Sequence, residues 1–433
     1  MAILKSAKRT LVTNYRPISI LSCIPKVFES LVCDFLTPIF KNNLIDQQYG
    51  FISQRSTELN LLLFTDFLSE SLEMGCHVHA LYTDFSKAFD RVNHELLLQK
   101  MEATGVHGKL LEWLGSYLCD RTQIVRVHNF KSFKIDVPSG VPQGSHLGPL
   151  LFNLFVNDIS SCFSHSHFLM FADDLIFFLK IQDPSDCFKL QKDLDHLAQW
   201  CVRNGMELNI DKCHLIIFSR SRNPIQHAYN VGGRPLGVVS QIKDLGVILD
   251  EKLSYVPHIT LAISKSLQML GFIKRCTKDF LNTSSIKLLY CSLVRPHLEY
   301  CSCVWSPYYN VHNQAIERVQ HKLLRYIYFK ENYNLDDINY ITVENDLGIS
   351  TLQTRHRDLI IFYNILHSNS FRPPLLNKIK LHAPLRQTRQ NNSFFEAPHR
   401  TNHGYNAFTA RAARLATQHS DRLNCFIDDR TFK

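Results

Sequence analysis

The sequence lacks the segments that would direct a chain into or across a membrane. Its first ten residues, MAILKSAKRT, are basic and have no apolar stretch of the kind found in signal peptides. No apolar run approaches the ~18–20 residues that a membrane-spanning helix needs. These absences argue against a secreted or membrane protein. They predict a chain of the nucleus, the cytoplasm or both, with no membrane partner.

The thirteen cysteines lack any regular spacing, and no CxxC pair occurs. This argues against a disulfide framework and for reduced thiols. One set still invites a zinc interpretation: Cys291, His297, Cys301 and Cys303. Its spacing fits no common zinc site, in which ligands come in closely spaced pairs. Ordinary helix residues are therefore the preferred interpretation of this set.

What the chain does have is enough apolar sequence for a large core. Of its 433 residues, 45% are hydrophobic and 20% charged, which is typical of a globular protein of two or three domains. Lys and Arg number 48 against 39 Asp and Glu, a formal charge of +9. This excess favours an anionic partner, usually nucleic acid, although charge alone also fits a mildly basic soluble protein.

Patterns along the chain predict an α+β protein whose character changes near Ser254. Val27, Leu31 and Phe35 recur at helical spacing in the first block, and several short apolar strands follow it. Beyond Ser254 the sequence is helical and basic. The stretch from about Pro384 is polar and poor in aliphatic residues, so we expect it to be loosely structured at best.

The apolar run from Phe168 to Lys180 surrounds two adjacent carboxylates, Asp173 and Asp174. Short apolar runs of this kind predict strands that are buried on both faces. Two neighbouring carboxylates are costly there unless cations neutralise them. We therefore expect a tight turn between two buried strands that presents the carboxylates to metal.

A third carboxylate, Asp84, ends another predicted strand, CHVHALYTDF. A helix is predicted after it, with Asn93 as a cap and Gly105 at its end. If the two sets of strands are neighbours in one sheet, all three carboxylates converge at one edge. Oxygen ligands suit Mg²⁺, and two such ions can hold the attacking and leaving oxygens of a phosphoryl displacement. The alternative is that the paired aspartates merely cap a turn.

Several ordered blocks resemble a known family. YTDFSKAFDRVNHELL, SGVPQGSHLGPLLFNLFVNDI and FADDLIFF are similar to motifs A, B and C of reverse transcriptases, in the version of non-LTR, LINE-type and especially jockey-like retrotransposons. NYRPISIL, QYGF with RST, LNIDKC and LGVILDEKLSYVPHI resemble the flanking blocks, the last including the primer grip. The resemblance covers roughly residues 3–330. It implies a right-hand polymerase with fingers, an RRM/ferredoxin-like antiparallel palm sheet and a helical thumb.

The resemblance also implies a division of the chain and a set of metal ligands. Residues 1–255 match fingers and palm, 256–335 the thumb, and 336–433 a helical or poorly ordered basic tail. Asp84, the carbonyl of Phe85 and Asp173 match the residues that bind two Mg²⁺ ions, for which Mn²⁺ can substitute. Asp174 matches the third carboxylate.

Other positions match residues that meet the nucleotide. Phe89 matches an aromatic steric gate against the ribose 2′-hydroxyl; the alternative is a plain core residue. Gln143 and Gly144 lie in the glycine loop that lines the incoming nucleotide and template. Lys212 matches a lysine that donates a proton to departing pyrophosphate; the alternative is an exposed lysine after a turn.

Basic residues of the first block match contacts to the triphosphate or template. Arg16 and Lys5 fit the fingers, and Arg16 is preferred because Lys5 is close to a terminus. Arg55 is a candidate template or nucleotide contact, whereas Ile52 stands where the family often has a basic residue. Thumb cations that can track a primer–template duplex, or equally form a solvated helix face, are Lys265, Lys274, Arg275 and Lys278.

The implied function is an RNA-directed DNA polymerase that uses an RNA template, a DNA primer and dNTPs. The chain starts almost inside the first matching block, so we expect a polymerase module of a truncated element. The alternative is a catalytically inactive remnant that only binds RNA or DNA. A palm-type nucleotide cyclase would explain neither the glycine loop nor the thumb. The oligomeric state is not predicted.

Overall fold

The computed structural model describes most of the chain. The described residues are 2–4, 15–41, 43–127, 130–280, 282–331, 338–349, 352, 355–367, 374–382, 394–395 and 398–418. Lys5 lies outside them. The chain forms two compact units. The first contains Met1–Arg55, Val78–Ile217 and Asn223–Val239, and the second contains Ser56–His77, Phe218–Arg222 and Ser240–Lys433.

The strands are short, as expected for many of them. They are β1 Ala2–Leu4, β2 Tyr15–Pro17, β3 His77–Thr83, β4 Thr122–Gln123, β5 Arg126–Val127, β6 Phe130–Lys131, β7 Ile135–Asp136, β8 His167–Phe171, β9 Asp174–Ile181, β10 His214–Phe218, β11 Asn230–Val231, β12 Arg234–Pro235, β13 Gly237–Val238, β14 Gln241–Asp244 and β15 Val247–Asp250.

Helices separate the strands and dominate the second unit. They are α1 Cys23–Lys41, α2 Thr57–Glu73, α3 His94–Ala103, α4 Lys109–Leu118, α5 Leu147–Phe155, α6 Pro184–Arg203, α7 Val256–Cys276, α8 Thr283–Leu293, α9 Arg295–Glu299, α10 Ser302–Trp305, α11 Asn310–Lys330, α12 Tyr340–Leu347, α13 Arg355–His367, α14 Asn402–Asn406 and α15 Phe408–Gln418. Short 3₁₀ helices span Ala88–Asp90, Asn157–Cys162, Ile210–Lys212 and Pro374–Lys378.

The first unit is built on a five-stranded sheet in the order β13-β10-β3-β9-β8. Helix α6 packs against β9, and α3 and α1 pack against α5. The α+β class predicted from the sequence is confirmed. The sheet is not purely antiparallel, however, because β13 pairs with β10 in parallel. The chain between them returns through the β11–β12 hairpin to the end at which β10 began, so the two strands run in the same direction.

Helix α1 confirms the helix predicted from the spacing of Val27, Leu31 and Phe35. Those three side chains are each 63% exposed. The buried side of α1 carries Leu36 and Phe40, both fully buried, which face the core of the first unit. Helical periodicity therefore predicted the element correctly and gave no information on which of its apolar sides is buried.

The second unit includes a large part of the chain that was expected to be loosely structured. In α15, Phe408 and Ala412 are buried, and Arg411 forms an ion pair with the fully buried Asp358 (Nε–Oδ2 2.8 Å). Arg411 also donates to the carbonyl oxygen of Cys303 (2.7 Å). The expectation of loose structure is therefore wrong for residues 398–418. Arg411 counted as a polar residue in the sequence, whereas in the structure its guanidinium is buried and paired with Asp358.

The compact units divide the chain differently from the predicted domains. Helix α2 belongs to the second unit, together with Ser240–Lys433, whereas the sequence placed it in the fingers and palm of residues 1–255. The predicted boundaries at 255 and 335 stay predictions. In the described part of the chain, no helix combines the length and the apolar character that crossing a bilayer requires.

Candidate active site

The two adjacent carboxylates lie at the tip of the β8–β9 hairpin. Phe171 pairs with Asp174, so Ala172 and Asp173 form a two-residue turn. Ala172 has a φ of 58°, and a positive φ at the first turn position is typical of type II′ hairpins. The strands behind it are buried, whereas Asp173 is half-buried and Asp174 is exposed. The predicted tight turn between buried strands is confirmed.

Asp84 lies beside this turn because β3 is the neighbour of β9. The hydroxyl of Thr83 donates a hydrogen bond to the carbonyl oxygen of Leu175 (3.1 Å). Thr83 immediately precedes Asp84, and Leu175 immediately follows Asp174. The strands that carry Asp84 and the aspartate pair are therefore neighbours in one sheet, as the sequence-based prediction required. The three carboxylates share one end of that sheet. Their role as metal ligands stays a prediction.

The carbonyl of Phe85 also faces this end of the sheet. The amide of Asn209 donates to the carbonyl of Asp84 (2.8 Å), and the amide of Ser86 donates to that of Glu207 (2.7 Å). Phe85 and Leu208 are therefore a non-hydrogen-bonded antiparallel pair, in which each carbonyl points away from the partner strand. Because β10 and β9 flank β3 on opposite sides, the Phe85 carbonyl points toward the β9 side. Three carboxylates and a carbonyl are all-oxygen ligands, which suit a hard divalent cation.

Lys212 reaches one of these carboxylates, Asp84, from the 3₁₀ helix Ile210–Lys212. Its ammonium lies 2.9 Å from Oδ2 of Asp84, and its side chain is 63% exposed. Such an exposed ion pair contributes little to stability. It nevertheless places a proton donor beside the carboxylates, as the predicted general acid requires. The alternative of an exposed lysine after a turn accounts for its exposure but not for its position.

A segment to which the sequence assigned no role in the turn holds it in place. The side-chain amide of Gln48 donates to the carbonyl of Ala172 (3.1 Å), and the amide of Ala172 donates back to Gln48 Oε1 (2.9 Å). Next to it, a Cβ built on Gly50 would lie 2.2 Å from the Ala172 nitrogen. Gln48 is 1% exposed. The sequence signal was only the QYGF block, in which a glycine between bulky residues indicates close backbone approach.

Arg55 shapes the same segment. Its guanidinium donates to the carbonyls of Ile45 (3.0 Å), Asp46 (2.9 Å) and Gln48 (2.7 Å). Its side chain is only 7% exposed, and this burial lowers the pKa of Arg55. These contacts direct the guanidinium into the protein and do not favour the predicted template or nucleotide contact, which stays a prediction.

Phe89 is half-buried in the 3₁₀ helix Ala88–Asp90. Its ring stacks on Phe152 (centroids 4.3 Å apart) and meets the edge of Phe51 (6.3 Å). Phe89 thus packs on the core while keeping part of its surface open. This position agrees with both interpretations of Phe89, and the steric gate stays a prediction.

Gln143 and Gly144 form part of a tightly connected loop. The side-chain amide of Gln143 donates to Oδ1 of Asp90 (2.8 Å). The backbone carbonyl of Gln143 accepts from the backbone amide of Ser19 (2.8 Å). Gly144 has a φ of 101°, and a Cβ there would lie 3.2 Å from the Ser19 carbonyl oxygen. Asp90 was missed as the partner of Gln143, although it is the second aspartate of YTDFSKAFD.

The remaining predicted residues are only partly placed. Arg16 lies in β2, where its backbone pairs with Ile3. The predicted thumb cations lie on or just after α7 and stay predictions. Among the described residues, ligand atoms of three His, Cys, Asp or Glu side chains lie within 4.8 Å of one another at Glu317, His321 and Glu344. Neither the four Cys and His residues of the zinc interpretation nor Asp84, Asp173 and Asp174 come together as closely. In that set, burial raises the pKa of Cys301 to about 12.

Known proteins are similar to this chain. Residues 3–273 match the family described as reverse transcriptase (RNA-dependent DNA polymerase). The probable RNA-directed DNA polymerase from transposon BS of Drosophila melanogaster is 29% identical over 357 residues, covering 78% of this chain and 39% of that protein. The RNA-directed DNA polymerase from mobile element jockey of Drosophila funebris is 31% identical over 346 residues, covering 75% and 37%. The chain thus spans less than two fifths of the length of these relatives.

A solved structure is similar over a larger share of its own chain. Telomerase from Candida tropicalis, in complex with a TWJ fragment of telomeric RNA, covers 76% of this chain and 57% of that one, at 12% identity and a TM-score of 0.38. The family match covers more than half of the chain. The chain belongs to the reverse transcriptase (RNA-dependent DNA polymerase) family, and the relatives from jockey and BS elements confirm the resemblance to jockey-like retrotransposons.

Proposed function

We propose that the chain is an RNA-directed DNA polymerase that extends a primer 3′-hydroxyl by nucleotidyl transfer. The observation that supports this most directly is the placement of Asp84, Asp173 and Asp174 on neighbouring strands at one end of the sheet. A phosphoryl displacement needs its charged oxygens held in line in a fixed electrostatic environment. Carboxylates anchored on adjacent strands provide a rigid frame for that environment.

Divalent cations are general in this family, and the all-oxygen ligands of this site fit them. Asp84, the Phe85 carbonyl, Asp173 and Asp174 would hold two Mg²⁺ ions, for which Mn²⁺ would substitute. When bound, the ions stabilise charge on the phosphoryl oxygens and favour loss of the proton of the primer hydroxyl. The ion pair of Asp84 with the ammonium of Lys212 supports the proposal that cations bind at this carboxylate.

The surrounding residues take the roles of substrate contacts in this proposal. Phe89 would exclude a ribose 2′-hydroxyl, since its ring is fixed by stacking on Phe152. Gln143 and Gly144 would line the nucleotide and template, and Lys212 would donate a proton to departing pyrophosphate. The partners would be an RNA template, a DNA primer and dNTPs, in agreement with the net charge of +9. We propose the nucleus, the cytoplasm or both as the compartment.

Primer extension on poly(rA)·oligo(dT) in the presence of Mg²⁺ tests the proposal. We expect dTTP incorporation that stops when EDTA is added and resumes with excess Mg²⁺ or Mn²⁺. Folded protein that binds RNA tightly but incorporates no nucleotide would refute the polymerase and favour the inactive remnant. Circular dichroism and a parallel binding measurement show whether the protein used is folded.

A further inference from the structure

A second hairpin of the first unit, here called the basic hairpin, is formed by the described residues 122–127 and 130–136. Strand β4 pairs with β7, and β5 pairs with β6 further out. The amide of Ser132 donates to the carbonyl of Val125 (2.9 Å), so Ile124 alone stands opposite both Phe133 and Lys134. One extra residue on the returning strand is a β-bulge, which bends the strand and redirects its side chains.

The basic hairpin exposes large apolar side chains. Phe133 is 93% exposed and Phe130 is 81% exposed, and Ile124 and Ile135 are about half exposed at 54% and 48%. Every other described side chain of the four strands is also exposed. Exposed apolar side chains that cluster in this way mark an interaction surface rather than a folding core.

Cations alternate with the aromatic rings of this surface. Arg126, Lys131 and Lys134 are exposed, and between residues 121 and 136 the chain has four Lys or Arg against one Asp. Alternation of cations with exposed rings is what proteins use to bind single strands, because phosphates pair with the cations and bases stack on the rings. The net positive charge makes an anionic partner a better fit than a neutral apolar one.

A cleft joins the basic hairpin to the glycine loop. It has a volume of about 900 Å³, and its lining includes Ile124 and Arg126 of the hairpin as well as Asp90 and Gln143. At the root of the hairpin, Arg121 donates to the carbonyl of Leu118 (3.0 Å) and to that of Gly140. The hairpin is thus fixed to the loop that includes Gln143, and the cleft leads from one to the other.

We propose that the basic hairpin binds single-stranded nucleic acid, with bases stacked on Phe130 and Phe133 and phosphates paired with Arg126, Lys131 and Lys134. The strand continues through the cleft toward Gln143. That this strand is the unpaired template rests on the proposed polymerase function. Binding of a single strand to the hairpin does not rest on it.

The test is the binding of fluorescein-labelled oligo(rU) of about twenty nucleotides, longer than one binding site. EDTA and the absence of dNTPs keep the measurement independent of catalysis. Replacing both Phe130 and Phe133 with Ala should weaken binding by at least about tenfold, since each stacked base contributes ~1–3 kcal/mol. Replacing both with Tyr should retain affinity within about threefold, because the stacking faces remain.

Two controls separate stacking from general effects. Replacing Phe130 and Phe133 with Leu keeps apolar surface but removes the ring faces, so binding should be as weak as with Ala. Phe188, on α6 and 65% exposed, offers a matched position outside the hairpin. Phe188→Ala should bind oligo(rU) like the unchanged protein.

Three results would overturn the proposal. The first is unchanged oligo(rU) binding in the double Ala variant. The second is native affinity in the double Leu variant, which would indicate plain hydrophobic contact. The third is a double Ala variant whose oligomeric state on ultracentrifugation differs from that of the unchanged protein while its oligo(rU) binding is the same. That result would make the surface a protein interface. A chain that shows the expected binding pattern but does not extend a primer would refute the polymerase and leave this inference intact.

Discussion

The first unit contains two hairpins with opposite properties. In the carboxylate hairpin, β8 and β9, the strands are largely buried, with Met170 and Phe177 fully so, and the two carboxylates are at the turn. In the basic hairpin, the described side chains are exposed, and cations alternate with aromatic rings on the returning strand, residues 130–134. Both are apolar-rich in sequence. In the carboxylate hairpin, the buried strands hold the two carboxylates in place. In the basic hairpin, the rings and cations remain exposed and accessible to a partner.

This contrast agrees with different requirements. Chemistry at a phosphoryl group needs groups held to a fraction of an ångström, which buried strands supply. Contact with a flexible single strand needs rings and cations that adapt to it. The following tests separate the two behaviours, beginning with the largest expected effect.

Asp173→Asn should reduce the rate of primer extension by roughly a thousandfold or more, because a charged ligand worth several kcal/mol is lost. Primer–template affinity in a binding assay should stay close to that of the unchanged protein. Asp195→Asn, an exposed carboxylate change on α6, is the matched control and should extend normally. Full extension by the Asp173 variant would show that the metal assignment is wrong.

Phe177→Ala should lower the free energy of unfolding of the first unit by about 3–5 kcal/mol, since it leaves a cavity in the core. Phe133→Ala should change it by no more than about 0.5 kcal/mol, because that ring is 93% exposed. Urea unfolding followed by circular dichroism measures both. Comparable losses would mean that the basic hairpin is packed and that the contrast between the hairpins is wrong.

Gln48→Ala should lower stability by about 1–3 kcal/mol, because both backbone groups of Ala172 lose their buried partner. A turn displaced by about 1 Å should also slow extension by up to about a hundredfold. Gln47→Ala is the neighbouring control, since Gln47 uses its backbone carbonyl to accept from Met170. Equal single-turnover rates in the Gln48 and Gln47 variants would show that Gln48 does not position Asp173.

Lys131→Gln should have the smallest effect. Loss of one phosphate contact should weaken oligo(rU) binding a few-fold at low salt and reduce the slope of log affinity against log salt by about 0.7. Titrations at several salt concentrations measure this slope. An unchanged slope would place the phosphates away from this side of the hairpin.

Much of the candidate site could be predicted because its signals are local. The apolar run around Asp173 predicted the hairpin. Asn93 is confirmed as a cap, since its side chain accepts from the amide of Leu96 (3.0 Å). The proximity of Asp84 followed once the strands were assumed to be neighbours. Each of these signals lies within a few residues of the feature that it predicts.

The other features depend on contacts between distant parts of the chain. Gln48 and Ala172 are 124 residues apart, and no periodicity joins them. The exposed side of α1 depends on which of its faces meets α5. The bulge opposite Ile124 depends on which residues of the two strands pair with each other, and this register is set by the fold of the hairpin. Residue spacing alone contains none of this information.

The two hairpins also differ in how much sequence change they tolerate. Gly50 accepts no side chain without moving the Ala172 backbone, since a Cβ would lie 2.2 Å from its nitrogen. At the exposed end of the basic hairpin, substitutions remove little buried surface, so a lineage can exchange rings and cations there at almost no loss of folding stability. Variation among descendants of this chain should therefore change what is bound at the basic hairpin long before it changes the geometry of the carboxylates.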